Sequence, residues 1–545
     1  MPVRPLWNDF SYFQHQLDGV NWMLDKEIAG TYVSNREGVD GTTLVRGGFQ
    51  CDDMGLGKTI QIASVIVNNP LPRTLLIAPL AMIGTWSSVL QRTGCAVYEV
   101  LGCAWKLVGD GPIPRYFIKN RPAVYVSNYE KLYSKASLFQ GAWDRCVLDE
   151  AHKIRNGDGI IARSCRRVVA PIRWAVTGTP LVNSLKDVVS LLAFLGVPHS
   201  KLWRWEPRYL QILPMLVIHR SLASLRGILK EAPPVPIIHD VVIPFTSREE
   251  EEFYFGVQGA NDALIQKYAK ELISPTEAFK LLLRLRQISV HPQVYINSKR
   301  REDVGYTRKD WVMPSSKLEK IGEIIRADST MDASVEGAVA DKTYTLQGST
   351  DKSHTLQGST DKSQRDLSTH KYIVFCQFND EMSLIREFLL KEGLVADENI
   401  LLYNGSMNQA ERESVLKRSK ATVDRTVLLL QLQAGGVGLN LQEYDRIIFV
   451  SPWWTSALMD QAIARAVRMG QKEIVHVYHL RLLAESTSAV NIDELINAKA
   501  EEKRKMLEKL FVLCASEAAN ETGSEAVNET DSETANETGS EAVSG

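Results

Sequence analysis

Residues 51–59 read CDDMGLGKT and residues 145–156 read RCVLDEAHKIRN. The first stretch is a Gly-rich turn closing on Lys-Thr, a pattern that wraps phosphates with backbone N–H groups. Asp53, Met54, Gly55, Leu56 and Gly57 would form that turn, Lys58 would reach the β- and γ-phosphates of ATP, and the Thr59 hydroxyl would hold Mg²⁺. The second stretch is an apolar strand ending in two carboxylates. Asp149 is placed to hold Mg²⁺ and Glu150 to polarise an attacking water. Asp52 stands where the strict phosphate-loop pattern has its first glycine. A Gly-Lys-Thr alone is weak evidence. Followed by Asp-Glu-Ala-His at a strand end, it predicts a nucleotide-hydrolysing α/β fold.

The flanking sequence agrees. Short runs rich in Val, Ile and Leu recur in both halves, between helical stretches. They are TLLIAP (74–79), AVYVSNY (123–129), CVLDEAH (146–152) and RWAVTGTP (173–180), then YIVFCQF (372–378), TVLLLQL (426–432), RIIFVSP (446–452) and IVHVYHL (474–480). They show little polar alternation, as strands buried on both faces do. Two α/β domains with mainly parallel sheets follow. Ligands of such sheets bind beyond the carboxyl ends of the strands.

The chain has 545 residues, enough for two or three domains, and is 44% hydrophobic and 23% charged, as soluble globular proteins are. Its apolar runs, such as VVSLLAFLGV (188–197), are too short to span a bilayer, and the start, MPVRPLWNDF, lacks a signal-peptide pattern. The expectation is an intracellular chain with no membrane partner. Seven cysteines form no C-x-x-C pair, which argues against zinc modules and for a reducing compartment. The net charge of −2 hides an asymmetry: eight acidic residues and no Lys or Arg lie from residue 515 on, so the body carries +6. That balance is compatible with nucleic acid. Residues 341–363, DKTYTLQGSTDKSHTLQGSTDKS, are a polar tandem repeat that cannot bury a core and is expected to be disordered. Residues 492–511 have helical spacing and are expected to form a closing helix.

Taken together, these motifs resemble the SWI/SNF-type branch of superfamily-two helicase-like ATPases, over roughly residues 10–510. FQHQLDGVNWML (13–24) is similar to that family's glutamine motif, LLIAPLAMIGTW (75–86) to motif Ia, and AVTGTPLVNSLKDVVSLLAFLG (175–196) to motif III. LLLRLRQISVHP (281–292) and SSKLEKIGEII (315–325) resemble segments leading into the second lobe. YIVFCQF resembles motif IV, LLLQLQAGGVGLNLQ (428–442) motif V, and PWWTSALMDQAIARAVRMGQ (452–471) motif VI. The PWW and RMGQ spellings are most like the subgroup around helicase-like transcription factor and the post-replication-repair translocases. Those relatives usually carry a RING finger. The insert between the lobes here has no Cys, so ubiquitin ligation is not carried over.

The resemblance implies two RecA-like lobes with a helical insertion between them. The expected organisation is an ATP-binding lobe over 1–232, a helical linker or protrusion over 233–326, a disordered repeat over 327–370, a helicase lobe with its closing helix over 371–512, and a disordered acidic tail over 513–545. It implies that Gln16 reads adenine, that Gly435, Gly436 and Gly438 allow close approach to a phosphate, and that Gln471 lies at the nucleotide. Arg465 and Arg468 look like the family's paired arginine fingers, and their spacing of three predicts one face of a helix. His152 would bridge to the facing lobe, Thr177 and Thr179 would couple nucleotide to DNA, and His291 would be structural. The basic groups Arg163, Arg166 and Arg167 and Lys299, Arg300 and Arg301 are candidate phosphate contacts. The chain departs from the family at Ser451, Thr455, Ser456 and Val467, none of which contacts ATP in the pattern; they bear on coupling hydrolysis to DNA movement.

The expected function is ATP- and Mg²⁺-dependent translocation on double-stranded DNA, gripping phosphates without reading sequence. Nucleosomes and transcription or repair proteins are candidate partners, the expected state is a monomer, and the expected compartment of a eukaryotic version is the nucleus. A strand-separating DNA or RNA helicase and a catalytically inactive scaffold are the alternatives. Intact Lys58, Thr59, Asp149, Glu150, Arg465 and Arg468 argue against the scaffold.

Overall fold

In a computed structural model, the chain divides into two units, residues 1–232 with 502–545, and residues 233–501. The structure describes residues 2–34, 42–109, 121–180, 185–197, 206–229, 232–269, 275–328, 370–435, 439–483 and 491–512. The tandem repeat, the acidic tail, and Gly436 and Gly438 lie outside them.

The first unit is built on strands β1 (Thr31–Ser34), β2 (Thr42–Gln50), β3 (Arg73–Ala78), β4 (Ala96–Leu101), β5 (Ala104–Leu107), β6 (Ala123–Asn128), β7 (Arg145–Asp149), β8 (Ile172–Val176) and β9 (Val217–Ile218). They form one sheet in the order β1-β2-β8-β7-β3-β6-β4-β5, with β9 also on β2. The outer pairs β1–β2 and β4–β5 are antiparallel and the other pairs parallel. Alternate strand residues fill opposite cores. Leu76, Val126, Val147 and Trp174 pack against helices Gln14–Ile28, Lys58–Asn68 and Ile83–Arg92, whereas Leu75, Leu148 and Ala175 share the other core with helices Ile160–Arg167 and Leu185–Leu195. The central strands β3, β6, β7 and β8 are therefore covered on both faces, which is why their sequences read as nearly continuously apolar.

The second unit uses β10 (Ile237–Ile243), β11 (Lys371–Cys376), β12 (Ile400–Tyr403), β13 (Thr426–Gln431), β14 (Arg446–Phe449) and β15 (His476–Leu482) in the order β10-β15-β14-β11-β13-β12, every pair parallel. All eight strands expected from the sequence are present and parallel to their neighbours within each sheet.

Two differences from the expected organisation have physical causes. The segment expected as a helical linker or protrusion groups with the second unit: β10 extends that sheet, and Leu318, Ile321 and Ile325 of helix Ser316–Ala327 lie in its core. Helices Arg248–Ala269, Pro275–Val290 and Pro292–Glu302 build a separate aromatic-rich core around Phe253, Tyr254 and Tyr295. Residues 492–512 are helical. Ile492 and Ile496 join that helical core, whereas Leu510 is buried in the first unit, with Met506, Leu507 and Phe511 packed beside it. Residues from Glu502 onward therefore group with the first unit and not with the lobe they follow in sequence.

Candidate active site

The first-unit chemistry gathers at three adjacent strand ends. Gln50 of β2 pairs with Val176 of β8, and Val176 pairs with Asp149 of β7. The chain leaving β2 is the phosphate loop, that leaving β8 is Thr177-Gly-Thr, and that leaving β7 is Glu150-Ala-His. Sheet register alone thus brings the three motifs side by side, at the carboxyl edge where parallel sheets bind ligands.

The loop turns into helix Lys58–Asn68 through Gly57, whose φ of 82° suits glycine and whose missing Cβ would lie 2.5 Å from Gln16 Nε2. The N-terminus of this 11-residue helix opens at Lys58, so backbone donors and the helix dipole face the loop. Lys58 Nζ donates to the carbonyls of Asp52 (2.7 Å) and Asp53 (3.1 Å), which holds the cation over its own loop. Thr59 is half-buried in the first helical turn. Met54 and Asp53 are half-buried, Gly55 exposed and Leu56 buried.

Gln16 is buried at 7% exposure. Its Oε1 accepts from Phe13 N (3.2 Å) and its Nε2 donates to Leu56 O (3.4 Å). The same carbonyl receives Gln61 Nε2 (3.4 Å) and lies 3.0 Å from His15 Nε2. In this structure the glutamine motif braces the phosphate loop.

Asp149 ends β7 almost wholly buried. Oδ2 accepts from Trp86 Nε1 at 2.7 Å and Oδ1 from Glu150 N at 3.0 Å. Burial, then the neighbouring Glu150 charge, pushes its carboxyl up to about 6 despite Trp86. A buried carboxylate kept short of charge stabilisation suits a cation. With the Thr59 hydroxyl it offers the hard oxygen donors that Mg²⁺ takes. Glu150 has φ 50° and ψ 50°, a left-handed conformation uncommon outside glycine, costing on the order of 1–3 kcal/mol. That turn swings its carboxylate back beside His152, 3.3 Å from Nδ1. His152 Nδ1 also lies 3.2 Å from Thr177 Oγ1, which accepts from Thr179 N (3.1 Å). Within its own unit His152 thus links the Glu150 turn to Thr177, the residue after Val176, which is the register partner of Asp149.

The second unit corrects one expectation. Helix Ser456–Ile463 ends before either arginine. Arg465 N and Ala466 N bond three residues back, to Ala462 O and Ile463 O, and Arg465 O is taken by Leu441 N at 3.1 Å. Arg465 and Arg468 are therefore half-buried residues of a turn and not one face of a helix. Between them Ala466 and Val467 plug the lobe core at 0% and 5% exposure, which gives Val467 a packing role. Burial holds Arg468 below the usual guanidinium range. Gln471, expected at the nucleotide, has hydrogen-bond partners within its own unit. Its Nε2 donates to Gln442 O (2.9 Å), with Tyr444 O and Ala466 O both at 3.4 Å, and its Oε1 accepts from Glu473 N.

Other expected residues have defined partners. Arg166 donates to Gly157 O at 2.5 Å, closing its loop, while Arg163 and Arg167 are exposed. Arg300 pairs with Asp310 and Arg301 with Asp380. His291 caps helix Pro292–Glu302, accepting from Gln293 N at 3.0 Å, as a structural histidine does. Ser451 Oγ takes a bond from the fully buried Lys317 (2.7 Å), whose charge is matched by Asp493 at 2.7 Å. Sequence reading missed Trp86 as the partner of Asp149, although it closes the quoted motif Ia stretch.

Residues 15–294 match the model of the SNF2-related domain. The chain belongs to the SNF2-related family. Residues 352–470 match the helicase conserved C-terminal domain, so the chain is a helicase-like ATPase of that family. It is 24% identical to the DNA repair protein RAD5B of Arabidopsis thaliana over 80% of its length and 44% of that protein's. It is 25% identical to the Probable global transactivator of Orgyia pseudotsugata multicapsid polyhedrosis virus over 91% of each. Among solved structures, the Sulfolobus solfataricus SWI2/SNF2 ATPase core in complex with dsDNA aligns with 94% of this chain and 98% of its own, at 20% identity and a TM-score of 0.36. The chain thus spans less than half of the repair protein and nearly all of the viral transactivator. Among the described residues no helix is long and apolar enough to cross a membrane.

Proposed function

We propose that this SNF2-related ATPase is driven by double-stranded DNA, along which it translocates to remodel protein–DNA complexes. The observation that carries the proposal is the register of β2, β8 and β7, which sets the phosphate loop, Thr177 and the Asp149–Glu150 pair at one sheet edge in an SNF2-related chain similar to a DNA repair protein. The DNA repair and transactivator names of its relatives point to those two settings.

In this reading Asp53, Met54, Gly55, Leu56 and Gly57 wrap the phosphates, Lys58 leaves its two carbonyls for the β- and γ-phosphates, and Gln16 serves the adenine side. Thr59 and Asp149 would hold Mg²⁺, which would neutralise phosphate charge when bound. Glu150 orients the attacking water and takes up its proton, and its neighbour His152 ties that carboxylate to Thr177. Arg465 and Arg468 meet charge developing on the γ-phosphoryl, an effect on the order of 10³–10⁵ in rate. The grip on DNA is through phosphates, with no base readout.

ATPase rate should be measured without nucleic acid and then with duplex DNA, single-stranded DNA and RNA. Duplex should stimulate most, with affinity falling steeply as salt rises. Triplex displacement should be positive and unwinding of a forked duplex weak. Efficient fork unwinding, or stimulation by single strands alone, overturns the translocase reading in favour of a strand-separating helicase.

A further inference from the structure

The residue in the first glycine position of the phosphate loop is not idle. Asp52 is fully buried, and its carboxylate receives Arg220 Nε on Oδ1 (2.9 Å), Arg220 Nη2 on Oδ2 (2.5 Å), Gln50 Nε2 (2.8 Å) and Gln61 Nε2 (3.0 Å). This is a two-pronged charge-assisted pair, the strongest geometry open to arginine. The same guanidinium donates to His15 O, at the start of the glutamine motif, and to Gln61 Oε1 (2.9 Å), on the helix that follows the loop. One side chain therefore joins the adenine-side helix, the phosphate loop and the phosphate-binding helix. Asp52 then passes the constraint on, since its own carbonyl is the 2.7 Å acceptor of Lys58 Nζ.

The backbone around Arg220 is tied to the loop as well. Strand β9 runs parallel beside β2, and the pairing continues past both strands: Cys51 N donates to Ile218 O (2.8 Å) and Asp53 N to Arg220 O (2.9 Å). Leu222 N donates to Asp53 Oδ2 (2.8 Å), at the start of helix Leu222–Leu225. From there Leu229 N bonds Leu225 O, and Ala232 N bonds Leu229 O. The neighbouring His219 ring stacks on Phe511 at 3.5 Å, in the segment where the chain has re-entered this unit.

We propose that Arg220 is the positioning residue of the phosphate loop: through Asp52 it sets the place of Lys58 and ties the glutamine motif to it, so that its loss impairs ATP binding and turnover. The inference rests on the ATPase reading and not on the DNA reading, so it is tested without DNA. A buried pair could serve folding alone, and the readouts separate the two. Arg220→Lys keeps the charge but cannot make the two-pronged contact, and Asp52→Asn keeps the shape but not the charge.

The experiment measures basal KM and kcat for ATP, together with Tm, for Arg220→Lys, Asp52→Asn and the double variant. The expected result is a KM raised about tenfold or more in each folded single variant, the scale of a misplaced active-site group. The double variant should be no worse than the poorer single, because both act through one contact. Either of two results overturns the proposal: Tm falls while KM and kcat of the folded fraction stay at wild-type values, or the two effects multiply. Should Arg220→Lys fail to fold, Asp52→Asn decides alone by the same criterion. Absence of DNA stimulation in the wild type would leave this result untouched and count only against the translocase reading.

Discussion

The two sheets present their chemistry differently. In the first unit, Asp149 ends a strand, is held by Trp86, and lies in register with the strands that lead to the phosphate loop and Thr177. In the second, Arg465 and Arg468 follow a helix of only eight residues and lie on a turn fixed by Leu441 N and by the buried Ala466-Val467 pair. In the proposed reading, phosphate and water handling is built on strand ends, and charge stabilisation on a turn whose precision is borrowed from the core beneath it. The lesson is that the arginines depend for their place on Leu441 and the buried Ala466 and Val467, whereas Lys58 and Asp149 depend on register.

The largest expected effect is at the strand-end site. Lys58→Ala should abolish hydrolysis with Tm nearly unchanged, since Lys58 Nζ bonds only loop carbonyls. Wild-type turnover in that folded variant would break the assignment of the phosphate loop. Next come Arg465→Ala and Arg468→Ala, each expected to slow kcat by about a thousandfold or more while nucleotide affinity barely changes, because arginine fingers act on transition-state charge. A normal kcat in either would reduce it to a structural turn residue.

A smaller effect sharpens the contrast. Trp86→Phe removes the donor on Asp149, a bond that holds its carboxyl down against burial. The carboxyl then moves above about 6, and the acid limb of the kcat–pH profile should shift to higher pH. An unmoved limb would detach Asp149 from the rate. Smaller still is an acid effect on the second unit. Burial lowers His291 to about 4 from its ordinary 6.5, so the unfolded chain takes up the proton first. Its contribution is whole above pH 6.5 and is lost as pH falls toward 4, worth about 3 kcal/mol at the limit. Hydrogen exchange from pH 7 to pH 4.5 should show opening around 290–296 growing toward acid, and His291→Gln should flatten that trend. Deleting 341–363 should leave turnover nearly unchanged, because the cost of loop closure grows slowly with length.

Much of the fold was legible because buried parallel strands announce themselves by apolar runs. The strands that were missed do not. β2, TTLVRGGFQ, carries Gly47 and Gly48 where a Cβ would lie 2.0 Å from Arg173 O and 2.5 Å from Leu216 O. Close backbone approach, and not apolar pattern, places that strand. β10 reads as IIHDVVI, with four exposed positions, because it lies at a sheet edge. In the site, residue types with fixed motif spacing were legible. Long-range partners were not: Trp86 with Asp149, Arg220 with Asp52 and Asp493 with Lys317 are separated by 63, 168 and 176 positions in numbering, and only the folded sheets bring them together. Helical periodicity misled at Arg465 and Arg468 because tertiary bonds to Leu441 ended the helix first.

The central claim is that ATP hydrolysis at this strand-end site drives movement along duplex DNA. Its most direct measurement is displacement of a third strand from a triplex, with ATP, for the wild type and Lys58→Ala. The account predicts ATP-dependent displacement by the wild type and none by Lys58→Ala, alongside duplex-stimulated hydrolysis in the wild type alone. Wild-type hydrolysis that ignores duplex DNA and leaves the third strand in place would contradict it.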